Sequence, residues 1–114
     1  MHEITSHSNS VVKRLRKLAT QRKAREAESV FLIEGWRSLK GLLRHASDTY
    51  EIEFIAYSDS FVAPEPYPEE VKRIQFSASI FESFSDLEQS PGILTVVKRK
   101  DTPPNWSSYT RMLL

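Results

Sequence analysis

Residues 30–37, VFLIEGWR, place an apolar run, a charged turn and the start of a helical pattern side by side. Residues 30–33 are wholly apolar and partly β-branched, which is typical of a strand buried on both faces. Glu34 and Gly35 end this run. Over residues 36–46 the apolar side chains recur three and four positions apart, which predicts a helix. A strand that leads directly into a helix favours an α/β fold.

The same alternation extends along the chain in both directions. Asn9 and its serine neighbours offer N-cap side chains ahead of apolar residues at helical spacing, so we predict a helix over 10–20 with a basic extension to Arg25. Downstream we predict strands at 52–57, 71–76 and 93–97, a helix at 77–84 and a proline-rich surface loop at 63–68. The expected fold is a three-layer α/β/α sandwich with a mostly parallel or mixed sheet, preceded by a basic N-terminal helix.

The pattern divides the chain into three parts. We predict that residues 1–26 form the basic helix and its extension, and that residues 27–100 form the sandwich domain. Pro103 and Pro104 indicate a linker within 101–114, and the chain turns apolar again at its last three residues. We interpret this final run as the start of a further domain; the alternative is a tail that packs back on the sandwich.

The composition excludes several classes of protein. An apolar fraction of 39% and a charged fraction of 27% are typical of a globular domain. No apolar run approaches the roughly 18 to 20 residues that cross a bilayer, and the polar first residues do not form a secretory leader. There is no cysteine, which excludes disulfides and thiolate chemistry. We therefore expect a cytoplasmic protein with no membrane partner.

Positive charge is concentrated near the amino terminus. Seven of the sixteen Lys and Arg residues lie within positions 13–25, where no acidic residue occurs. From Glu26 onward, fourteen acidic residues outnumber nine basic ones. Phosphate groups are the natural partner of such a segment, since Lys and Arg displace the counterions that surround a nucleic acid. A basic face that only keeps a helix soluble is the alternative.

No self-contained active site is evident. The three glycines (Gly35, Gly41 and Gly92) are too dispersed for a dinucleotide cradle, and the three histidines (His2, His7 and His45) lack the spacing of metal ligands. No serine lies in a nucleophile-elbow context. We predict no catalytic residue, no metal site and no cofactor in this chain.

Four sequence elements follow one another in a recognisable order: an opening segment, a basic helix, a strand-to-helix junction and a final strand. The residues concerned are Ile4, Ser6, Asn9, Lys13, Leu15, Leu18, Arg25, Phe31, Ile33, Glu34, Gly35, Arg37, Ser85, Leu87 and the stretch 90–97. They resemble the substrate-binding domain that opens SpoU (TrmH-like) RNA 2′-O-ribose methyltransferases. Members of that family carry Ile-x-Ser-x-x-Asn-x-x-x-Lys and Phe-x-x-Glu-Gly-x-Arg at these positions, and the resemblance covers residues 4–100.

The resemblance implies a fold like that of kink-turn-binding ribosomal proteins and a role in recognising structured RNA, either rRNA or tRNA. It also implies a second, knotted domain in the parent protein, which binds S-adenosylmethionine, transfers the methyl group and forms a homodimer; this fragment by itself could be a monomer. The candidate RNA-contacting residues are Asn9, Lys13, Arg14, Arg16, Lys17, Arg25, Gly35 and Arg37. Glu34 is assigned a structural role at the strand–helix junction.

Two other functions are compatible with the same residues. The chain could be a structural or protein-interaction module with little affinity for RNA, or a free-standing RNA binder of the ribosomal type. The residues by themselves do not decide between these and the substrate-binding role.

Overall fold

The computed structural model of this protein describes residues 3–4, 9–45, 49–84 and 91–99. The expected linker and further domain at 101–114 lie outside the described residues, as do Ser85, Leu87 and Ser90 of the family pattern.

The described residues form a mixed five-stranded sheet with helices on both faces. In chain order the elements are β1 (Glu3–Ile4), α1 (Ser10–Thr20), α2 (Arg22–Glu28), β2 (Val30–Glu34), α3 (Trp36–His45), β3 (Tyr50–Ser58), β4 (Arg73–Phe76), α4 (Ala78–Glu82) and β5 (Ile93–Arg99). The strand order is β1-β4-β3-β5-β2; β1, β4 and β3 are parallel, and β5 runs antiparallel to both of its neighbours. The predicted mixed α/β architecture is confirmed.

The first helix is an integral layer of this sandwich. Val12, Leu15 and Leu18 are fully buried, and they pack in one cluster with residues of α4 and of the sheet. Asn9 caps the helix, because its side-chain Oδ1 accepts a hydrogen bond from the Val11 backbone N–H at 2.8 Å. The interpretation of Asn9 as an N-cap is confirmed.

The opposite face of the sheet is covered by α3 and by the segment that follows β3. Leu39 of α3 is fully buried against Ile55 and Ile93 of the sheet. Glu65 ties the proline-containing loop to the helix, since one carboxylate oxygen accepts from Trp36 Nε1 at 3.2 Å and lies 3.1 Å from Lys40 Nζ. Helices on both faces complete the three predicted layers.

A β-bulge in β3 distributes its side chains between the two cores. The pairing with β5 shifts between Ile52 and Phe54, so that Ile52 packs on the α3 side whereas Phe54 packs on the α1 side. Glu53 is the extra residue, and its side chain reaches Arg14 on α1. A bulge places two successive residues toward one face, which explains why the side chains of Glu53 and Phe54 both contact the α1 side.

The prediction that residues 30–33 form a strand buried on both faces is wrong in one respect. These residues do form β2, but β2 lies at the edge of the sheet and pairs with β5 alone among the described strands. Val30 is buried, whereas the other four residues of the strand are partly exposed. The wholly apolar run therefore forms an edge strand that α2 and α3 partly cover. It does not form a strand in the interior of the sheet. Over the ranges that the structure describes, no helix is long and apolar enough to span a bilayer.

Candidate nucleic-acid interface

Three lysines on the first two helices present their charges to solvent. Lys13 and Lys17 lie one turn apart on α1, and Lys23 lies in the first turn of α2. All three side chains are exposed, and none makes a hydrogen bond or ion pair with another residue in the described ranges. Because Val12, Leu15 and Leu18 anchor the inner side of α1, the outer side is held in a fixed orientation. These lysines are therefore available to an external anion.

Arg22 adds a fourth exposed charge, which is only loosely engaged. Its side chain is 84% exposed, and its Nε lies 3.1 Å from the Glu26 carboxylate one turn along α2. An exposed pair at this spacing contributes about 0.3 to 0.5 kcal/mol, which an external phosphate can readily replace. We call Lys13, Lys17, Arg22 and Lys23 the exposed basic set.

Arg14 has a different environment, because two carboxylates of the chain hold it. Its Nη1 and Nη2 donate to the two oxygens of Glu53 at 2.6 and 2.9 Å, and its Nε and Nη2 donate to Glu28 at 3.0 and 2.7 Å. The hydrogen bonds to Glu53 chiefly raise the pKa of Arg14 above its ordinary value; burial opposes this effect and Glu28 adds to it. The guanidinium thus joins α1, α2 and β3 into one unit.

Arg16 and Arg25 also have partners within the chain. Arg16 Nε donates to the hydroxyl of Ser83 beyond α4 at 3.0 Å. Arg25 Nη1 donates to the backbone carbonyl of Leu18 at 2.6 Å, where a positive charge satisfies an otherwise unpaired carbonyl near the end of α1. Both arginines consequently stabilise the packing of the helical layer. Their predicted contact with RNA stays a prediction, as it does for Arg14.

The strand–helix junction lies at one end of the sheet. Gly35 adopts a φ of +97°, which favours glycine, and its backbone N–H donates to the Ile93 carbonyl at 3.1 Å. Glu34 ends β2 and Arg37 is exposed in the first turn of α3. Since α3 covers the face of the sheet opposite to α1, the structure separates Arg37 from the exposed basic set.

A pocket of about 320 Å³ opens between the helical layer and β2. Residues of α1, α2, β2 and β5 line this pocket, together with one residue that follows α4. The lining residues are Ala19, Arg25, Phe31, Leu32, Glu34, Phe84 and Leu94. The pocket brings together Arg25 and Glu34, which are nine positions apart in the sequence. It also adjoins α1 and α2, the helices that carry the exposed basic set.

Several of these contacts could not be found from the sequence. Glu28 and Glu53 gave no sign of binding Arg14, because regular alternation does not reveal that a bulge turns Glu53 toward α1. Ser83 appeared only as a polar residue near the end of a predicted helix. The one available signal was the lack of acidic residues between positions 4 and 25, which meant that any partner of Arg14 had to come from a distant element.

The chain matches the model of the MRM3-like substrate binding domain over residues 9–95. It belongs to this family of substrate-binding domains, which confirms the domain type expected from the sequence resemblance. No curated protein sequence matches the chain.

Solved structures of RNA methyltransferases share the fold. An RNA 2′-O ribose methyltransferase superposes with a TM-score of 0.72 at 24% identity, over 91% of this chain and 39% of that one. An rRNA methyltransferase from Sinorhizobium meliloti gives 0.66 at 16% identity, over 87% and 37%. A TrmH-family putative RNA methyltransferase from Porphyromonas gingivalis gives 0.63 at 21% identity, over 84% and 37%. The chain thus spans less than two fifths of the length of each of these structures.

Proposed function

We propose that this chain is the RNA-recognition domain of an S-adenosylmethionine-dependent RNA 2′-O-ribose methyltransferase of the SpoU family, with structured rRNA or tRNA as its substrate. The family match supports a substrate-binding role. The similar structures are those of RNA methyltransferases, which supports RNA as the substrate.

The observation that carries this proposal is the exposed basic set. Lys13, Lys17 and Lys23 have no partner among the described residues, and the helices that present them are fixed by buried apolar side chains. Each lysine that meets a phosphate releases a condensed counterion, which supplies affinity without reading the base sequence. A set of exposed cations on helices held by a buried core suits a phosphate backbone better than it suits a neighbouring protein surface.

The arginines of the same region hold the basic helices in position. Arg14 holds α1 to β3 and α2, Arg16 holds α1 to the end of α4, and Arg25 secures the end of α1. They keep Lys13 and Lys17 in place. Asn9 contributes in the same way, through its cap of α1.

The cofactor would be bound outside this chain. Gly35, Gly41 and Gly92 lie at a strand–helix junction, inside α3 and before β5, so they build no cradle for a nucleoside cofactor. S-adenosylmethionine, when bound in the parent protein, supplies the methyl group.

We propose that the parent protein forms a homodimer through its second domain and acts in the cytoplasm, where a chain without cysteine needs no oxidising environment.

Fluorescence anisotropy with labelled rRNA and tRNA hairpins tests this proposal. We expect the full chain to bind at about 50 mM salt, and the triple variant Lys13→Ala/Lys17→Ala/Lys23→Ala to bind on the order of tenfold more weakly or worse. Lys72→Ala is the matched control, since Lys72 is exposed in the segment before β4. Absence of binding at low salt, or equal binding by the triple variant, would contradict the proposal. A tight dimer of the chain in sedimentation with no RNA affinity would favour a protein-interaction module.

A further inference from the structure

The pocket between the helical layer and β2 is lined by five apolar residues, one cationic residue and one anionic residue. Leu32 and Leu94 come from adjacent strands, Ala19 from the end of α1, and Phe84 from the residues after α4. Its volume of about 320 Å³ is at the lower end of the range for small-molecule sites. A pocket of this size admits one flat ring system.

The guanidinium at the pocket is held in place before any ligand arrives. Arg25 Nη1 is committed to the Leu18 carbonyl at 2.6 Å, which fixes the side chain against α1. A guanidinium has five N–H donors, so one such bond leaves others to serve a ligand. The side chain therefore offers several donors in a fixed orientation.

The backbone that carries the carboxylate is held by the sheet. Glu34 is the last residue of β2, and the next residue, Gly35, is bonded through its N–H to Ile93 on β5. Glu34 itself interacts within the chain. An ionised carboxylate nevertheless has two oxygens and about four acceptor positions, so a contact inside the chain leaves acceptor capacity for a ligand.

These features restrict the chemistry of the ligand. Glu34 repels a simple anion, and Arg25 repels a simple cation. An apolar molecule leaves both charges without a partner. A nucleobase has apolar faces for the leucine and phenylalanine side chains and both donors and acceptors at its edge. Among the bases, guanine carries two adjacent donors, N1–H and N2–H, that match a carboxylate, and two adjacent acceptors, O6 and N7, that match a guanidinium.

We propose that this pocket is a subsite for one unpaired nucleobase of the RNA, with guanine preferred, Glu34 accepting from its Watson–Crick edge and Arg25 donating to O6 and N7. Sequence-specific RNA recognition commonly uses bases that are splayed out of loops or bulges and bound at their edges. The inference rests on the proposed function, because α1 and α2 present both the pocket and the exposed basic set. The lysines then supply affinity along the backbone, and the pocket supplies selectivity for one base.

Free nucleotides test the pocket independently of the RNA backbone. We expect 5′-GMP at millimolar concentration to shift the amide resonances of Leu32, Glu34 and Leu94 in heteronuclear NMR spectra of the full chain, and to bind more tightly than AMP, CMP or UMP. Glu34→Gln exchanges a carboxylate oxygen for a donor, so it should abolish the preference for GMP. Glu69→Gln is the control, since this exposed carboxylate lies in the segment on the other face of the sheet.

A second variant guards against a folding defect in Glu34→Gln. Ala19→Leu adds volume at the pocket wall and keeps a residue that favours helix, so it should weaken GMP binding while the circular dichroism spectrum stays that of the wild type. In hairpins that differ at one unpaired loop nucleotide, guanine should be preferred about tenfold, and Glu34→Gln should remove that preference without changing the salt dependence of binding.

The outcomes separate this inference from the proposed function. If RNA binds through the lysines, but the four nucleotides bind equally and neither pocket variant changes binding, the pocket inference is wrong and the RNA-binding function stands. If GMP binds in the pocket but RNA does not bind at low salt, the proposed function is wrong.

Discussion

The hydrogen bonds of Arg14 to Glu53 and Glu28 lead to a quantitative prediction about the stability of the chain. Its guanidinium donates two hydrogen bonds to Glu53 and two to Glu28, and the side chains of Arg14 and Glu53 are each 29% exposed. Glu28 is 41% exposed, so solvent screens its contribution. A hydrogen bond to a charged group contributes about 1.5 to 3 kcal/mol when it is partly buried, whereas an exposed pair contributes less than about 1 kcal/mol.

We therefore expect Arg14→Met, which keeps the apolar stem, to lower the free energy of unfolding by roughly 2 to 3 kcal/mol. The half-buried carboxylate of Glu53 is then left without its partner. For a domain of this size such a loss lowers the melting temperature by roughly 10 °C or more. Urea denaturation followed by circular dichroism measures the free energy directly, and thermal unfolding provides the second value.

Arg22→Met is the matched control, since its ion pair with Glu26 is exposed and should contribute less than about 0.5 kcal/mol. Adding Glu53→Gln to Arg14→Met removes the stranded charge, so the double variant should be less destabilised than the sum of the two single variants. If Arg14→Met unfolds at the same denaturant concentration as Arg22→Met, the assignment of Arg14 to a structural role is refuted.

Three further predictions follow from local geometry. Asn9→Ala should lower the free energy of unfolding by about 1 kcal/mol and Asn9→Asp should preserve it, because either oxygen can accept from the Val11 N–H; denaturation compares the two. Gly41→Ala should stabilise α3 by roughly 0.5 to 1 kcal/mol, whereas Gly35→Ala should destabilise the chain, because both positions have space for a methyl group but only Gly35 has a positive φ; equal effects would refute this. Burial raises the pKa of Tyr67 above its ordinary 10.0, with Tyr57 adding to the shift and Arg73 opposing it. The protonated hydroxyl of Tyr67 therefore contributes its full stability below about pH 10, and this contribution is lost as the pH rises through the folded-state pKa. In alkali, the free energy of unfolding of Tyr67→Phe should fall less with rising pH than that of the wild type.

The fold was largely accessible from the sequence because its elements have strong periodic patterns. The predicted 10–20 helix corresponds to α1 (Ser10–Thr20), and the apolar runs at 52–57 and 93–97 both fall within observed strands. The basic extension forms a separate helix, α2, after Gln21. The position of β2 at the sheet edge could not be predicted. An apolar run indicates that a strand is buried, but it does not indicate whether helices or neighbouring strands bury it.

The candidate site was accessible only in part. Exposed lysines between apolar helix positions could be recognised, because helical periodicity directs Lys13 and Lys17 away from Val12 and Leu15. The structural roles of Arg14 and Arg25 depend on a bulge and on a helix end that are set by tertiary packing. The pocket depends on four separate elements meeting, which no local pattern encodes.

The salt dependence of RNA binding tests the central claim most directly, namely that the exposed lysines contact phosphate. For single-stranded loops, log K falls with log salt by about 0.7 for each phosphate contact, so Lys13→Ala/Lys17→Ala/Lys23→Ala should reduce the slope by roughly 2. Lys72→Ala should leave the slope unchanged. A triple variant that folds normally and retains the slope of the wild type would show that these lysines do not contact the RNA backbone.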